Sequence, residues 1–322
     1  MSRPARLALL ALLCAAAFLL SLGAGKVWVP AESWFTGDPR WAIIVQLRLP
    51  RAVLGLAVGA ALGLSGAVLQ GYLRNPLADP AVVGVSSSAA MGAVAAIIAG
   101  FSSVGAMIAA AMAGAALAMA LLTLLLWRGG GTVAFVLAGT VLATLAGAAT
   151  AFLISIAPNP YAVAEAIDWL MGALTDRGPD EVALGVPVMA AGAALLLATG
   201  PALDALTLGE AAARSLGVRL GRVQALVVLG TGLAVGASVA VTGVVGFVGL
   251  IVPHVLRPWF GARPAALLLP SALGGATLTL TADALVRLVP GPGEVRLGVA
   301  MALIGAPFFL WLLLGRRGAA WR

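Results

Sequence analysis

The sequence predicts an all-α, polytopic membrane protein with about ten transmembrane helices, and three observations predict it. The 322 residues are 62% hydrophobic and only 10% charged, with a mean hydropathy of +1.09; a soluble domain carries about 25% charged residues. The charges are also clustered: none lies in 80–127, 129–164, 182–203, 223–256, 264–282 or 297–315, and about 20 apolar residues make one bilayer crossing. The 41 glycines suit helices that must approach closely in lipid, where no hydrophobic drive holds them together.

Breaks at charges, prolines and glycines place ten spans. The first, 6–24, follows Arg3 and Arg6, a pattern that a signal peptide shares. Its length, long for a signal, favours a retained helix. The second, 51–72, starts behind "LRLPR" and ends at the polar corner "RNPLADP", where Asn75, Pro76, Asp79 and Pro80 turn the chain. Spans three and four, 82–100 and 103–127, divide at "GFSS", and span five, 132–156, begins beyond Arg128 and its glycines. Span six, 182–199, follows the charged "DRGPDE". The longest polar connection, 200–222, leads into span seven, 223–243; Gly243 separates that from span eight, 245–261, which bends at Pro253 and His254. Spans nine and ten, 265–286 and 296–314, flank a loop that holds Glu294.

An even number of spans puts both termini on one side. That side then holds twelve basic residues, among them Arg74, Arg214, Arg257 and Arg263, against Asp79, Asp204 and Glu210 as the only acids; the other holds seven basic and nine acidic. The positive-inside rule makes the basic side cytoplasmic. Residues 58–76 also align without gaps on 235–253: Gly59 meets Gly236, Ser65 meets Thr242, Gly66 meets Gly243 and Pro76 meets Pro253. A shift of five spans, an odd number, predicts two inverted five-helix halves, about 51–160 and 223–314, within a single transmembrane domain 1–322. It also predicts that the same corner is built twice.

The chemistry available is limited. One cysteine, Cys14, excludes an internal disulfide or a cysteine-based metal cluster, and one histidine, His254, excludes a multi-histidine metal site. There is no G-x-S-x-G and no H-E-x-x-H, and no cofactor is expected. Lys26, the only lysine, is followed by Val27, so no phosphate-binding loop G-x-x-x-x-G-K-[ST] exists and any ATP must be hydrolysed by another chain. The net charge of +7 reflects basic loops, not a nucleic-acid partner. An ion-coupled carrier needs ionisable groups inside its spans. The good candidate is Asp283, which pairs four residues along with Arg287. A scaffold without transport is disfavoured by the repeat.

Two polar surfaces remain. Outside, Arg48 and Arg51 with Arg287 form a basic rim, or equally a set of interfacial anchors. Inside, Asp204 is placed to cap a short helix. In "TLGEAAARSLG", Glu210 and Arg214 pair four apart along a second helix and Gly217 fits its stop. This is a docking knob or a passive loop.

The ordered motifs "RLPRAVLGLAVGAALGLSGAVLQGYLRNPLADPAVVGVSS", "WLMGAL", "LGEAAARSLGV", "GFVGLIVPHVLR", "LLLPSALGGA", "ADALVR" and "GAPFFLWLL" resemble the FecCD/BtuC-like permease subunits of type II ABC importers, which carry iron–siderophore complexes, haem and cobalamin. The resemblance covers about 45–314. It implies a homodimer in the bacterial plasma (inner) membrane, with two cytosolic ATPase subunits below and a periplasmic or lipid-anchored substrate-binding protein above. It implies that Arg48, Arg51 and Arg287 dock that binding protein and that Gly209, Glu210, Arg214, Leu216 and Gly217 couple to the ATPase. A cytoplasmic gate near Gly131 and Thr132 and a path lined by spans five and ten follow from it too. Asn75, Pro76, Asp79, Pro80, Pro253, His254, Asp283 and Glu294 fall on its structural motifs, and an iron–siderophore is its first-choice cargo. Two positions depart from the family: Ser88 stands where relatives carry glycine, and Arg296 where they carry proline. Arg296 is expected to add positive charge beside the docking rim.

Overall fold

Every one of the ten apolar segments is a helix in the computed structural model, which describes residues 2–36, 38–101, 103–126, 132–291 and 293–315. In order these are α1 (Arg3–Gly23), α2 (Leu49–Tyr72), α3 (Val85–Ile98), α4 (Val104–Leu126), α5 (Thr132–Ser155), α6 (Pro160–Leu170), α7 (Pro179–Leu197), α8 (Gly200–Leu206), α9 (Glu210–Ser215), α10 (Leu220–Thr242), α11 (Val248–Phe260), α12 (Pro264–Leu288) and α13 (Leu297–Gly315). A π-helical turn, Ile43–Arg48, runs straight into α2, and a 3₁₀ turn, Pro80–Val83, precedes α3. Helix α6 was not foreseen. Its start is written in "NPY": Asn159 accepts from the Ala162 N–H, and Pro160 occupies a position whose N–H would be unpaired anyway.

Among the described residues, seven helices are long and apolar enough to cross a membrane: α1, the joined Ile43–Tyr72, α4, α5, α7, α10 and α12. Two further expected spans are shorter: helix α3 has 14 residues and α11 has 13. Helix α13 has 19. For α11 the reason is local. Gly243, at φ +71°, stops α10, and α11 does not begin until Val248. The end of α10 is paired inside the protein: the Ala173 N–H donates to the Thr242 carbonyl. Irregular backbone at membrane depth is tolerated when protein buries it in this way. The repeated corner is therefore not built twice: Pro76 lies in the turn after α2, whereas its counterpart Pro253 lies inside α11.

Packing depends on the small residues. Helices α2 and α10 are the most buried, with 78% of their apolar windows covered. A Cβ on Gly59 would sit 2.3 Å from the Gly275 carbonyl oxygen, and one on Gly63 2.2 Å from that of Ser271, so α2 and α12 touch backbone to backbone. Gly66 meets Gly249 of α11 at 2.1 Å in the same sense. Gly236 of α10 faces Ala115 of α4. Gly92 and Gly114 join α3 to α4, the latter beneath the carbonyl of buried Ser88. The residues 73–84 form the floor for α5: Gly84, at φ +79°, lies where a Cβ would stand 2.8 Å from the Gly139 carbonyl. In that turn Asn75 accepts from Leu77 N–H, Asp79 caps the 3₁₀ turn at Ala81, and Gln70 donates to the Ala78 and Gly249 carbonyls.

Replacing Gly63 by valine forces α2 and α12 apart. It should cost about 3 kcal/mol or more, read as a lowered detergent-solution Tm and a loss of monodisperse protein. Gly105→Ala, which meets nothing within 4 Å, should leave both unchanged.

Candidate functional sites at the two ends of the bundle

Side-chain contacts gather the charged residues at two ends, and the end with Arg48 and Arg287 holds a buried ion cluster. Asp283, 1% exposed, lies on the inner face of α12 and makes the expected pair with Arg287 at 2.8 Å. Sequence reading missed its second partner. Arg51 Nε and Nη2 donate to the same carboxylate at 2.9–3.1 Å, and Nη1 donates to Glu294 at 2.9 Å. Glu294 also accepts from the Thr175 hydroxyl at 2.9 Å. Three arginines against two carboxylates leave surplus positive charge, and the end of α1 absorbs it. Arg48 donates to the carbonyls of Leu22, Gly23 and Val27; Arg287 donates to the carbonyls of Ser21 and Ala24 and to the Ser21 hydroxyl. A helix C-terminus carries unpaired carbonyls and the negative end of the macrodipole, so it suits guanidinium groups. Gly25 permits this approach, since a Cβ there would be 2.6 Å from the Arg48 guanidinium.

The three arginines expected at an outward basic rim are turned inward. Arg48, Arg51 and Arg287 are 6%, 9% and 3% exposed, because ion pairs and the α1 carbonyls hold them inward. They form the floor of a cleft of about 250 Å³ whose wall carries Lys26, Thr175, Asp176, Arg177 and Glu294. Lys26 fastens the α1 end to the carbonyls of Gly291 and Gly293. Arg296 does not add free charge either: its guanidinium is paired with both carboxylate oxygens of Asp168 on α6. Burial pushes the Glu294 carboxyl up, but Arg51 and Thr175 outweigh it, and the group sits below its ordinary value of 4.5.

At the other end lies the knob. Helix α9 is six residues, and Glu210 and Arg214 approach to 3.8 Å across its exposed face. Its stop is the expected one. Gly217, at φ +84°, donates to the Arg214 carbonyl and Val218 to that of Ala213, a Schellman motif that needs a left-handed residue at that place. Gly209, at φ +96°, opens the helix. Ala213 is fully buried and pins α9 down, while Leu208 and Leu216 are 68% and 65% exposed. Asp204 departs from expectation. It lies within α8 and does not cap it; its carboxylate accepts from the Ala265 N–H at 2.9 Å and pairs with Arg263 at 2.7 Å, capping α12 instead. Beside it, Gln70, Arg74, Thr207, Pro253 and Arg257 line a cleft of about 330 Å³, and Arg257 donates to Gln70 at 2.8 Å. His254 packs edge-on against Phe308 of α13 at 6.0 Å. Burial raises the Asp79 carboxyl, opposed by the N–H groups of Ala81 and Leu250. Of the expected gate, Gly131 lies outside the described residues and Thr132 is the first residue of α5.

Helix α5 presents Val133, Leu137, Val141 and Leu145 in an exposed stripe with a four-residue step, continued seven residues on by Phe152, and α13 presents Leu303, Ile304, Leu310 and Trp311.

Comparison with known proteins places this geometry. The FecCD transport family model matches residues 12–315. The chain is 42% identical to the cobalamin import system permease protein BtuC of Halobacterium salinarum over 85% of its own length and 74% of that protein's. It is 36% identical to the hemin transport system permease protein HmuU of Yersinia pestis, over 92% and 90% of the two chains. A solved chain, described as from a metal-chelate type ABC transporter in an inward-facing conformation, superposes with a TM-score of 0.87 at 32% identity, covering 97% of this chain and 99% of that one.

Arg51→Ala leaves two acidic groups short of a partner and should destabilise the protein by about 3 kcal/mol or more, measured by chemical or thermal unfolding in detergent. Glu294, with its lowered folded-state pKa, contributes stability that is present above 4.5 and is lost as pH falls through the folded value. Glu294→Gln should therefore lower Tm at pH 7 and flatten the Tm decline below pH 4.5.

Proposed function

The chain belongs to the FecCD transport family, and from that premise we propose that it is the translocation subunit of an ATP-driven importer that carries a large metal chelate inward. It is a multi-pass membrane transport permease and not an enzyme. The observation that carries the reading is the agreement of the whole chain, at a TM-score of 0.87, with a transporter described as of metal-chelate type. Relatives named for cobalamin and hemin favour a macrocyclic metal chelate over an iron–siderophore as cargo.

Two copies of the chain would enclose the path, with the apolar stripes of α5 and α13 facing it. Two cytosolic ATPase subunits would grip the knobs: Leu208 and Leu216 offer apolar contacts, Glu210 and Arg214 offer charge, and Gly209 and Gly217 hold the shape. The charge asymmetry supports a bacterial inner-membrane orientation with both termini in the cytoplasm. A periplasmic or lipid-anchored binding protein would dock at the opposite end, its acidic side chains entering the cleft above Arg48, Arg51 and Arg287. ATP binding would draw the knobs together and tilt the helices, which exposes the path to one side at a time. The two inverted halves, about 51–160 and 223–314, would move together within each subunit, because α2 of the first and α12 of the second pack backbone to backbone, and the tilt would be of one subunit against the other.

Co-reconstituted with its ATPase and binding protein, the permease should take up cyanocobalamin or haemin only with ATP inside the ATPase-facing compartment. Uptake on a proton or sodium gradient with no ATPase would overturn the reading. Glu210→Arg and Gly217→Val should each weaken ATPase co-purification about tenfold or more, equal to a loss near 1.4 kcal/mol.

A further inference from the structure

We propose that Asp204 is the positioning residue that carries motion of the knob into α12 and, through it, to the ion cluster at the far end of the molecule. The inference rests on the reading of the knob as the ATPase contact.

The argument starts from α12. Its first residue, Pro264, has no N–H, so Ala265 supplies the first unpaired donor of the helix. No residue of α12 or the loop before it satisfies that donor. Asp204 does, from another element 61 positions away in sequence, with a carboxylate at the positive end of the helix dipole. Asp204 is in turn part of the knob. Its helix is fixed by Leu203 and Leu206, 0% and 4% exposed, and runs into α9 through the hydrogen bonds of Leu208 and Gly209 to Ala205 and Leu206. The covalent route from α9 to α12 is long and interrupted. It passes along α10, through the break at Gly243, along α11 and past Gly261 at φ +87°. The direct route is the Asp204 contact.

What α12 receives, it transmits. Its backbone contacts with Gly59 and Gly63 of α2 leave no room for one helix to slide on the other. A displacement of the first turn therefore reaches Asp283 and Arg287, and through Arg51 and Glu294 it reaches the loop that starts α13. The apolar contacts between α8 and α12 hold the elements together but set no axial register; the bond from Ala265 N–H does. Arg263 is 80% exposed along its side chain, so its ion pair is screened and contributes little. The cap, not the salt bridge, is the transmitting contact.

The test uses the full permease–ATPase complex in nanodiscs, in a Cys14→Ser background. Asp176→Cys, in the cleft at the far end, reports there through its rate of maleimide labelling with and without ATP plus vanadate. In the Asp204→Ala variant, compared with the native complex at equal ATPase occupancy, the nucleotide-dependent change in labelling should fall about fivefold or more. Arg263→Gln should keep the native response. Asp204→Asn keeps an acceptor for Ala265 and removes the charge, and it should lose the response about twofold. A native response in Asp204→Ala, or in Asp204→Asn where Asp204→Ala does not assemble, overturns the proposal, as does an equal loss in Arg263→Gln. A native complex that retains no ATPase, or shows no nucleotide response, defeats the functional reading and this proposal with it; a native response unaffected by the variants defeats this proposal alone.

Discussion

The contact on which the rest of the structure depends is the seam between α2 and α12. In lipid, apolar side chains gain little by leaving one apolar surrounding for another, so helices associate through close van der Waals contact and interhelical hydrogen bonds. Gly59, Gly63, Gly275 and Ser271 provide that closeness. The seam then decides what lies at each end. At one end it sets Arg51 over Asp283, in reach of Glu294. At the other it sets the last turn of α2, with Gln70, beside α11 and the start of α12, with its Asp204 cap. Two helices held this closely act as one rod with a polar fitting at each end.

The ion cluster shows how such a protein tolerates charge at membrane depth. A buried pair gains little over apolar packing unless its remaining hydrogen bonds are made. Here they are. Asp283 has two arginines, Glu294 has Arg51 and Thr175, and the two arginines with spare N–H groups turn to the carbonyls of α1. The cluster consequently fastens α1, α2, α12 and the loop before α13 together. Any acidic group that enters the cleft above it competes with carbonyl oxygens for the guanidinium groups of Arg48 and Arg287. On the proposed function, the cluster would respond to a docking partner without leaving an uncompensated charge when no partner is present.

Much of this was legible in the sequence where the deciding interaction is local. The ten apolar segments, the Asp283–Arg287 pair and the Gly217 stop each depend on residues within one or two helical turns, and each is found. Interactions between distant elements were not legible. Arg51 and Asp283 are 232 positions apart, Arg296 and Asp168 are 128, and Ala265 and Asp204 are 61. A charge map could say which side these groups lie on, not which of them meet. That is why the arginines were read as an exposed rim and Arg296 as free charge. The repeat misled for a related reason. Gly66 and Gly243 are equivalent in sequence, but Gly66 meets Gly249 inside a continuous helix while Gly243 ends one, so one pattern of small residues serves packing in the first half and a break in the second.

The exposed stripe on α5 bears on how cargo is handled. Its large residues are Val133, Leu137, Val141, Leu145 and Phe152. The exposed hydroxyls described on the same helix are spent internally: Thr140 donates to the Val136 carbonyl, Thr144 to that of Thr140 and Ser155 to that of Phe152. A surface of this kind offers a passing solute neither charge nor a free donor. Discrimination between similar molecules is strong when a site holds buried polar groups that the wrong ligand leaves unpaired, and weak when the wall is apolar. A path built from this stripe has no such groups, so it would bind a polar chelate loosely and release it readily. On the proposed function, selection would reside in the partner that delivers the cargo, and the polar chemistry of this chain is left to its two ends, where one fitting would meet that partner and the other the source of force.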